Sequence, residues 1–265
     1  MTYTAKDVAV IVPSRLQPNA NPYAEHLYLD RALMSIKRQE LTPARVIVVV
    51  DEGAEVPERF LVAPSWAEVL IVHAKGSGQA QALNAAVRAL HVDASLVCFL
   101  EDDDFFRSPS RLRIALEKLN EGFDMVTSNQ RESSELGNYV RINDFPTPSG
   151  WLLKRDAVKW SPWFNEGLKY HVDTWFLGEA NRAELKRLHL VEADHIHHMS
   201  STRRQWLANV SKHSTMWEHP EPEPLVERTC NPEGGMAQIA KGGEAGETSK
   251  AEHDWMQQEF GMVPW

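Results

Sequence analysis

The chain has 265 residues and a net charge of −9, with 43% hydrophobic and 25% charged residues. Its mass of 30.1 kDa and mean hydropathy of −0.40 are ordinary for a globular protein and argue against a disordered, collagen-like or membrane-spanning chain. Because there are only two cysteines and no secretory signal pattern at the start, we expect a cytoplasmic protein without disulfides.

Four short apolar runs, rich in β-branched residues, recur through the first hundred residues: Val8–Val12, Val46–Val50, Val69–Val72 and Leu96–Leu100. Continuous apolar runs are typical of strands buried on both faces, as in a parallel sheet. Apolar residues recur at helical spacing in Tyr28–Gln39, Gln79–Leu90 and Ser110–Leu119. This alternation predicts an α/β fold, in which a mostly parallel central sheet is flanked by helices.

The second half of the chain is less regular, and from residue 219 it becomes rich in Pro, Gly and Glu. From there to the end, nine acidic residues outnumber three basic ones, so most of the net charge lies in this part. Such a composition buries little apolar surface, and we expect a loosely structured extension over 219–265. Its apolar end, 255–265, is expected to dock on the body or on a partner subunit of a homo-oligomer. Residues 1–218 are expected to form one domain that consists of two parts, at about 1–107 and about 108–218.

The residues that directly follow the apolar runs are the first candidates for function, because ligands of open α/β sheets bind beyond the carboxyl ends of the strands. They are Pro13-Ser14-Arg15, Asp51, Lys75 and the four carboxylates Glu101 to Asp104. Four adjacent carboxylates repel one another unless a cation is present, and oxygen ligands favour Mg²⁺ or Mn²⁺ shared with a phosphorylated ligand. The alternative is a solvated acidic turn ahead of a helix. Apolar residues on both sides of the turn favour the metal site.

The order and spacing of these segments resemble glycosyltransferase family 2. The similar segments are Pro13-Ser14-Arg15, VVVDEG ending at Gly53, ALNAA over 82–86, and FLEDDD ending at Asp104, where Glu101 replaces the usual Asp. The resemblance covers roughly residues 7–200 and implies the GT-A fold and a nucleotide-diphosphate sugar donor, with a UDP-sugar favoured. It implies donor contacts for Pro13, Ser14, Arg15, Asp51, Lys75, Asn84 and Asp102. It also implies metal ligation by Asp103 and Asp104, with His197 as a further ligand from a cluster of three histidines.

Two later segments resemble the acceptor side of the same family. Thr147 to Trp151 is similar to the segment between donor sugar and acceptor, which implies roles there for Ser149, Gly150 and Trp151, with Trp151 exposed in the cleft. His171 to Trp175 is similar to a Glu-Asp motif, in which Val172 replaces the Glu and Asp173 is retained. An acceptor hydroxyl must lose its proton during attack, so Asp173 is expected to be the general base. The alternative is that Asp173 only caps a helix.

The main hypothesis from the sequence is a metal-dependent, inverting glycosyltransferase of the hexosyl type that acts on a hydroxyl acceptor. One alternative is a catalytically weak sugar- or nucleic-acid-binding module of the same fold, which the replacements at Glu101 and Val172 favour. Another is a glycosyltransferase whose acceptor is a modified DNA base, suggested by the acid-free stretch 195–217. This DNA acceptor is not the favoured one.

Overall fold

The computed structural model describes residues 2–18, 27–62, 65–76, 78–134, 138–192, 214–219, 221, 223–230 and 235–261. The strands are β1 (Val8–Ser14), β2 (Arg45–Val50), β3 (Glu68–His73), β4 (Leu96–Phe99), β5 (Phe105–Phe106), β6 (Met125–Ser128), β7 (Gln130–Ser134), β8 (Tyr139–Asn143), β9 (Leu152–Lys154), β10 (Arg187–Glu192), β11 (Ser214–His219) and β12 (Val226–Cys230). The helices are α1 (Tyr28–Lys37), α2 (Glu58–Leu61), α3 (Gln79–Ala89), α4 (Arg111–Asn120), α5 (Val172–Arg182), α6 (Gly235–Ala240) and α7 (Gly243–Phe260).

Within the described residues, the central sheet has eight strands in the order β11-β10-β6-β9-β4-β1-β2-β3. Its neighbouring strands run parallel except at β9, which is antiparallel to both β4 and β6. In β1, Ile11 pairs with Ile47 on one side and with Phe99 on the other. The four apolar runs found in the sequence are therefore the four adjacent parallel strands, and the predicted α/β architecture is confirmed.

Helices cover both faces of the sheet at β1, β2 and β4, which is why these strands are apolar without alternation. Ala9 and Ile11 of β1 belong to a core that includes residues of α3 and α5. Val8, Val10 and Val12 belong to a second core that includes residues of α1 and α4. Neighbouring residues of one strand thus enter opposite cores, and a polar residue at either kind of position would be buried without water.

A second sheet, with four strands in the part of the chain that the structure describes, has the order β5-β12-β7-β8. Strand β12 is antiparallel to β5, which directly follows the acidic turn 101–104, and parallel to β7. Because Leu225 and Val226 are fully buried, this short sheet is attached to the body by apolar packing at its centre. It brings residues from 226–230 next to the acidic turn.

The C-terminal part, expected to be a loosely structured extension, contains both β12 and the 18-residue helix α7. Helix α7 packs on α5, where Phe260 lies against Gly178 and Arg182 pairs with Glu259 at 2.7 Å. The boundary predicted at 218/219 remains a prediction, as does a homo-oligomer formed through this part. Within the described residues, no helix is both long and apolar enough to span a bilayer.

Candidate functional site

The acidic turn that follows β4 brings three carboxylates together. Oxygen atoms of Glu101, Asp103 and Asp104 all lie within 4.8 Å of one another. Asp104 is fully buried, and its two oxygens accept hydrogen bonds from the Ser149 hydroxyl at 2.5 Å and from the Thr229 backbone N–H at 3.0 Å. The turn is thus held from two directions, by the segment before β9 and by strand β12.

Glu101 and Asp102 are fixed by residues of three neighbouring segments: the start of α3, the segment before β9 and the end of β1. The side-chain amide of Gln79, the first residue of α3, donates to the Glu101 carboxylate, and the Glu101 backbone N–H donates to Ser149 Oγ at 3.0 Å. Ser14, at the end of β1, donates from its hydroxyl to Asp102 Oδ2 at 2.6 Å. The end of β1 and the acidic turn are therefore joined by a direct hydrogen bond, as expected for adjacent parallel strands.

Burial and mutual repulsion make these carboxylates unusually weak acids. Desolvation and the charge of Asp103 raise the pKa of Asp102 and of Asp104 to about 7, and burial raises the pKa of Glu101 well above its ordinary value. A bound cation would reverse both effects, because it favours the ionised form. Three clustered carboxylates supply the hard oxygen ligands that Mg²⁺ and Mn²⁺ prefer, so this set of residues fits a divalent cation.

A half-buried arginine from the C-terminal part, Arg228 of β12, adds positive charge to the site. Its Nη1 donates to Glu132 Oε1 at 3.1 Å, and 21% of its side chain is exposed. The charge of Arg228 lowers the pKa of Asp104, of Glu101 and of Asp173 against the effect of burial. Sequence reasoning missed this residue, since nothing in the local pattern of β12 indicates which distant carboxylates it faces.

A second arginine that the sequence did not single out, Arg31 of α1, also supports the turn. It donates to the backbone oxygen of Asp103 at 2.5 Å and to the hydroxyl of Thr229 at 2.6 Å. Burial lowers its pKa, while the charges of Asp104 and Asp103 raise it. Arg31 therefore connects α1, the acidic turn and β12. The only sign of this role in the sequence is a basic residue within the predicted amphipathic helix, and such residues are common on helices without a function.

Asp173 lies in the first turn of α5, after the N-cap residue His171. Its Oδ1 accepts a hydrogen bond from the backbone N–H of Thr174 at 2.7 Å, and burial raises its pKa. The charge of Asp173 also raises the pKa of Glu101, although less than burial and the charges of Asp104 and Asp103 do. A negative side chain at a helix N-terminus is favourable, so the capping alternative is compatible with this position.

A small cavity of about 30 Å³ opens beside Asp173, enough for a single water molecule. The residues that line it are Phe145, Thr147, Tyr170, His171, Asp173, Thr174, Arg228 and Ile239. The buried hydroxyl of Tyr170 has no hydrogen-bond partner in the described part of the chain. The cavity thus combines a carboxylate, a cation and an unsatisfied hydroxyl, the groups needed to bind another hydroxyl.

The residues expected to contact the donor nucleotide lie at one edge of the central sheet. In the register of the parallel strands, Ser14 pairs with Val50 and Val50 pairs with His73, so the segments that follow β1, β2 and β3 are neighbours. Pro13 and Asp51 are half-buried, whereas Arg15 and Lys75 are exposed. Their donor contacts stay predictions.

Asn84, which is also expected to contact the donor, is engaged in hydrogen bonds within the protein. It is buried, and both hydrogens of its amide are engaged, by the Phe164 backbone oxygen at 2.8 Å and by Glu166 Oε1 at 2.9 Å. Its oxygen accepts from the Phe164 backbone N–H at 3.0 Å. Asn84 thus fastens the 164–166 segment to α3, and its donor contact stays a prediction.

The expectation that Trp151 is exposed in the cleft is wrong, because Trp151 is fully buried. Its ring N–H donates to the Pro146 backbone oxygen at 2.8 Å, and its ring packs against Phe176 at a centroid distance of 5.1 Å. A large aromatic ring next to a glycine also suits a core position, and here the apolar surface of α5 buries it. Trp151 is a core residue between the central sheet and α5.

Ser149 and Gly150, also expected on the acceptor side, are buried as well and support the acidic turn, while their acceptor role stays a prediction. Ser149 is bonded to residues of that turn, as described above. Gly150 has φ +87°, and a Cβ at this position would lie 2.7 Å from Val226 Cγ2. Glycine is therefore required here for both its backbone angle and the close approach of the chain near β12. The predicted ligand His197, with His195 and His198, lies outside the described residues.

Known proteins resemble this chain in sequence pattern and in fold. The family model described as glycosyl transferase family 2 matches residues 22–210, whereas no curated protein gives a significant match. S. aureus TarS 1–349 in complex with UDP-GlcNAc is 16% identical and has a TM-score of 0.57, over 87% of this chain and 60% of that chain. S. aureus TarS 1–349 in complex with UDP is 14% identical, with a TM-score of 0.53 over 96% of this chain and 72% of that one.

At such low identity these structures show a shared fold, and this chain spans only 60% of the first of them. They agree with the GT-A architecture that the sequence implied. The match over 22–210 covers well over half of the chain. On that basis we conclude that this protein belongs to glycosyltransferase family 2.

Proposed function

We propose that this protein is a metal-dependent, inverting glycosyltransferase that moves a sugar from a nucleotide-diphosphate donor, with a UDP-sugar favoured, to a hydroxyl acceptor. Family membership supports the reaction class. The observation that carries the finer assignment is that β12 links the acidic turn to the surroundings of Asp173: the Thr229 backbone N–H binds Asp104, and the neighbouring Arg228 lines the cavity beside Asp173. The carboxylates of the acidic turn are then suited to bind a cation, and the separate carboxylate of Asp173 is suited to accept a proton.

The donor nucleotide is proposed to lie along the ends of β1, β2 and β3. Arg15 and Lys75 are exposed cations at this edge, which suits the phosphates, and Asp51 can accept from N–H groups of the base. Asp102 is proposed to face the ribose hydroxyls. Its hydrogen bond from Ser14 at 2.6 Å supports this role, because it fixes the carboxylate at the end of β1.

Glu101, Asp103 and Asp104 are proposed to hold the cation, with Mn²⁺ or Mg²⁺ favoured and with His197 as a further ligand. When bound, the cation supplies positive charge to the diphosphate of the donor. The residues around the ligands hold them in place without it: Ser149 and Thr229 fix Asp104, and Gln79 contacts Glu101.

Asp173 is proposed as the general base. As the acceptor oxygen attacks the anomeric carbon of the sugar, its proton passes to the Asp173 carboxylate. The bond from that carbon to the diphosphate oxygen breaks, and the nucleoside diphosphate leaves with the bonding electrons. One displacement of this kind inverts the anomeric configuration. The raised pKa of Asp173 supports the role, since a weaker acid has a stronger conjugate base.

The cavity beside Asp173 is proposed to receive the acceptor hydroxyl. Tyr170 contributes a hydroxyl that is free to bond it, while Arg228 keeps Asp173 ionised by its charge. Ile239 and Phe145 supply apolar walls that exclude water from this side of the site. The chemistry of these side chains fits an alcohol and does not specify the rest of the acceptor.

The proposal is tested by nucleoside diphosphate release from UDP-, GDP- and dTDP-sugars with Mn²⁺ and a panel of mono- and oligosaccharide acceptors. Asp173→Asn should lower turnover by about 10²–10⁴-fold with little change in donor KM, because the side chain keeps its shape but cannot take the proton. NMR of the product should show inverted anomeric configuration. Asp156→Asn, an exposed position, is the matched control. Parental turnover in Asp173→Asn, or a product of retained configuration, would contradict the proposal.

A further inference from the structure

Helix α7 lies beyond residue 210, where the family match ends, yet it contacts the segment that leads into α5. The Glu252 carboxylate accepts three backbone hydrogen bonds from this segment. They come from the N–H groups of Lys169 at 2.6 Å, Tyr170 at 2.9 Å and His171 at 3.1 Å. Three consecutive backbone donors that converge on one carboxylate fix the path of the chain at this point.

The same helix also holds the side chain of His171. His171 Nε2 lies 3.1 Å from the Ser249 backbone oxygen and 3.0 Å from the Ser249 hydroxyl. His171 is the N-cap of α5, and its backbone oxygen accepts the hydrogen bond from the Trp175 N–H at 3.0 Å. Both the backbone and the ring of the residue at which α5 begins are therefore attached to α7.

The contact continues along the pair of helices. Ser249, Glu252, Met256 and Phe260 recur at intervals of three or four residues, which places them on one face of α7. Met256 is fully buried, and Phe260 lies against Gly178 of α5. Glu252 is thus part of a packed interface between helices. It is not among the residues that line the cavity beside Asp173.

We propose that Glu252 is a positioning residue, which holds the start of α5 so that Asp173 presents its carboxylate to the acceptor hydroxyl. Asp173 lies two residues after His171, so a shift of the N-cap moves the carboxylate with the first turn of the helix. The inference rests on the proposed function, in which Asp173 is the general base. It goes further in assigning part of the active-site geometry to a helix outside the matched family region.

The test compares Glu252→Ala and Glu252→Gln with Glu247→Gln, an exposed glutamate on the same helix. Glu252→Ala should lower turnover by about 10–100-fold at saturating donor, the cost of a misplaced reacting group, with donor KM within about twofold of the parent. Amide hydrogen exchange over 169–175 should become faster in the same variant. Glu252→Gln retains one acceptor oxygen and should fall between the parent and Glu252→Ala. Glu247→Gln should match the parent in all three measurements.

A double variant separates positioning from general loss of structure. If Glu252 acts through Asp173, Glu252→Ala should lower turnover no further in the Asp173→Asn background. An equal loss in both backgrounds, or parental turnover in Glu252→Ala while Asp173→Asn is impaired, overturns the inference and leaves the proposed function standing. Parental turnover in Asp173→Asn overturns the proposed function itself, and the positioning role with it.

Discussion

Asp103 shows how charge within the acidic turn opposes folding and favours a cation. Its charge raises the pKa of Asp102, Asp104 and Glu101, so its removal relieves repulsion among them. We expect Asp103→Asn to keep the parental melting temperature or to raise it. The same variant should lose at least about tenfold in affinity for UDP with Mn²⁺, measured by calorimetry, because one proposed ligand is gone. Asp156→Asn should leave both unchanged, and parental affinity in Asp103→Asn would refute the metal assignment.

Arg228 is the second residue whose role depends on charge. Arg141, which binds the same Glu132 carboxylate, offers a matched control. Glu132 accepts from Arg228 at 3.1 Å in the buried site and from the exposed Arg141 at 2.6 Å. Arg228→Met should lower the free energy of unfolding by about 2 kcal/mol, because the carboxylates of Asp104, Glu101 and Glu132 lose the positive charge of the guanidinium. Arg141→Met should cost less than about 1 kcal/mol, as exposed pairs contribute little. Equal losses in urea unfolding of the two variants would contradict this account.

At the scale of elements, the packing of α7 on α5 depends on Gly178. A Cβ at this position would lie 2.7 Å from ring atoms of Phe260, so any larger residue must displace that ring. We expect Gly178→Val to destabilise the protein by about 1–3 kcal/mol in urea unfolding, as overpacking does. Most of this loss should be recovered in the Gly178→Val, Phe260→Ala double variant.

Gly246 of α7 is the control for this prediction. A Cβ there would lie 3.6 Å from the Ile239 backbone oxygen, an ordinary contact. Gly246→Ala should therefore be neutral or stabilising by up to about 1 kcal/mol, since alanine favours a helix. If Gly178→Val proved as harmless as Gly246→Ala, the contact between α5 and α7 would be unimportant for stability.

At the scale of the whole molecule, the acidic site should make stability depend on pH. The pKa of Asp102 and of Asp104 is about 7 in the folded protein, against an ordinary 3.8. The folded state binds these protons more tightly than the unfolded chain, so their stabilising effect is present at low pH and is lost as pH rises through about 7. Metal-free protein should accordingly be less stable at pH 8 than at pH 6.5.

Urea unfolding in EDTA between pH 6.5 and 8 measures this dependence. Buried His219, whose pKa is lowered to about 4, has the opposite effect below pH 6.5, which sets the lower limit of the range. Asp104→Asn should show a smaller change in stability with pH than the parent, because the variant lacks one of the carboxyl groups whose pKa is raised in the folded state. Stability that rises from pH 6.5 to 8 in the metal-free parent would contradict the electrostatic description of the site.

The sequence by itself determined the parallel sheet and the edge at which function is expected. Continuous apolar runs specify strands buried on both faces, and parallel strands bring their carboxyl ends together, so the acidic turn and Ser14 had to be neighbours. The order of the motifs was enough to indicate the family. These features depend on the composition of short segments and on their order along the chain, and both can be read directly from the sequence.

Only the tertiary structure decided which residues complete the site. Arg228 and Glu252 lie far along the chain from Asp104 and Asp173. The pairing of β12 brings the charge of Arg228 to bear on Asp104, and the packing of α7 places Glu252 against the residues just before Asp173. The burial of Trp151 could not be predicted from its neighbours either, which suggested an exposed ring. Trp151 lies in the core because α5 covers it. Local sequence patterns specify strands and turns. Which charged groups approach one another, and which aromatic rings are buried, depends on how the elements pack, because both are set by distances in space and not by separation along the chain.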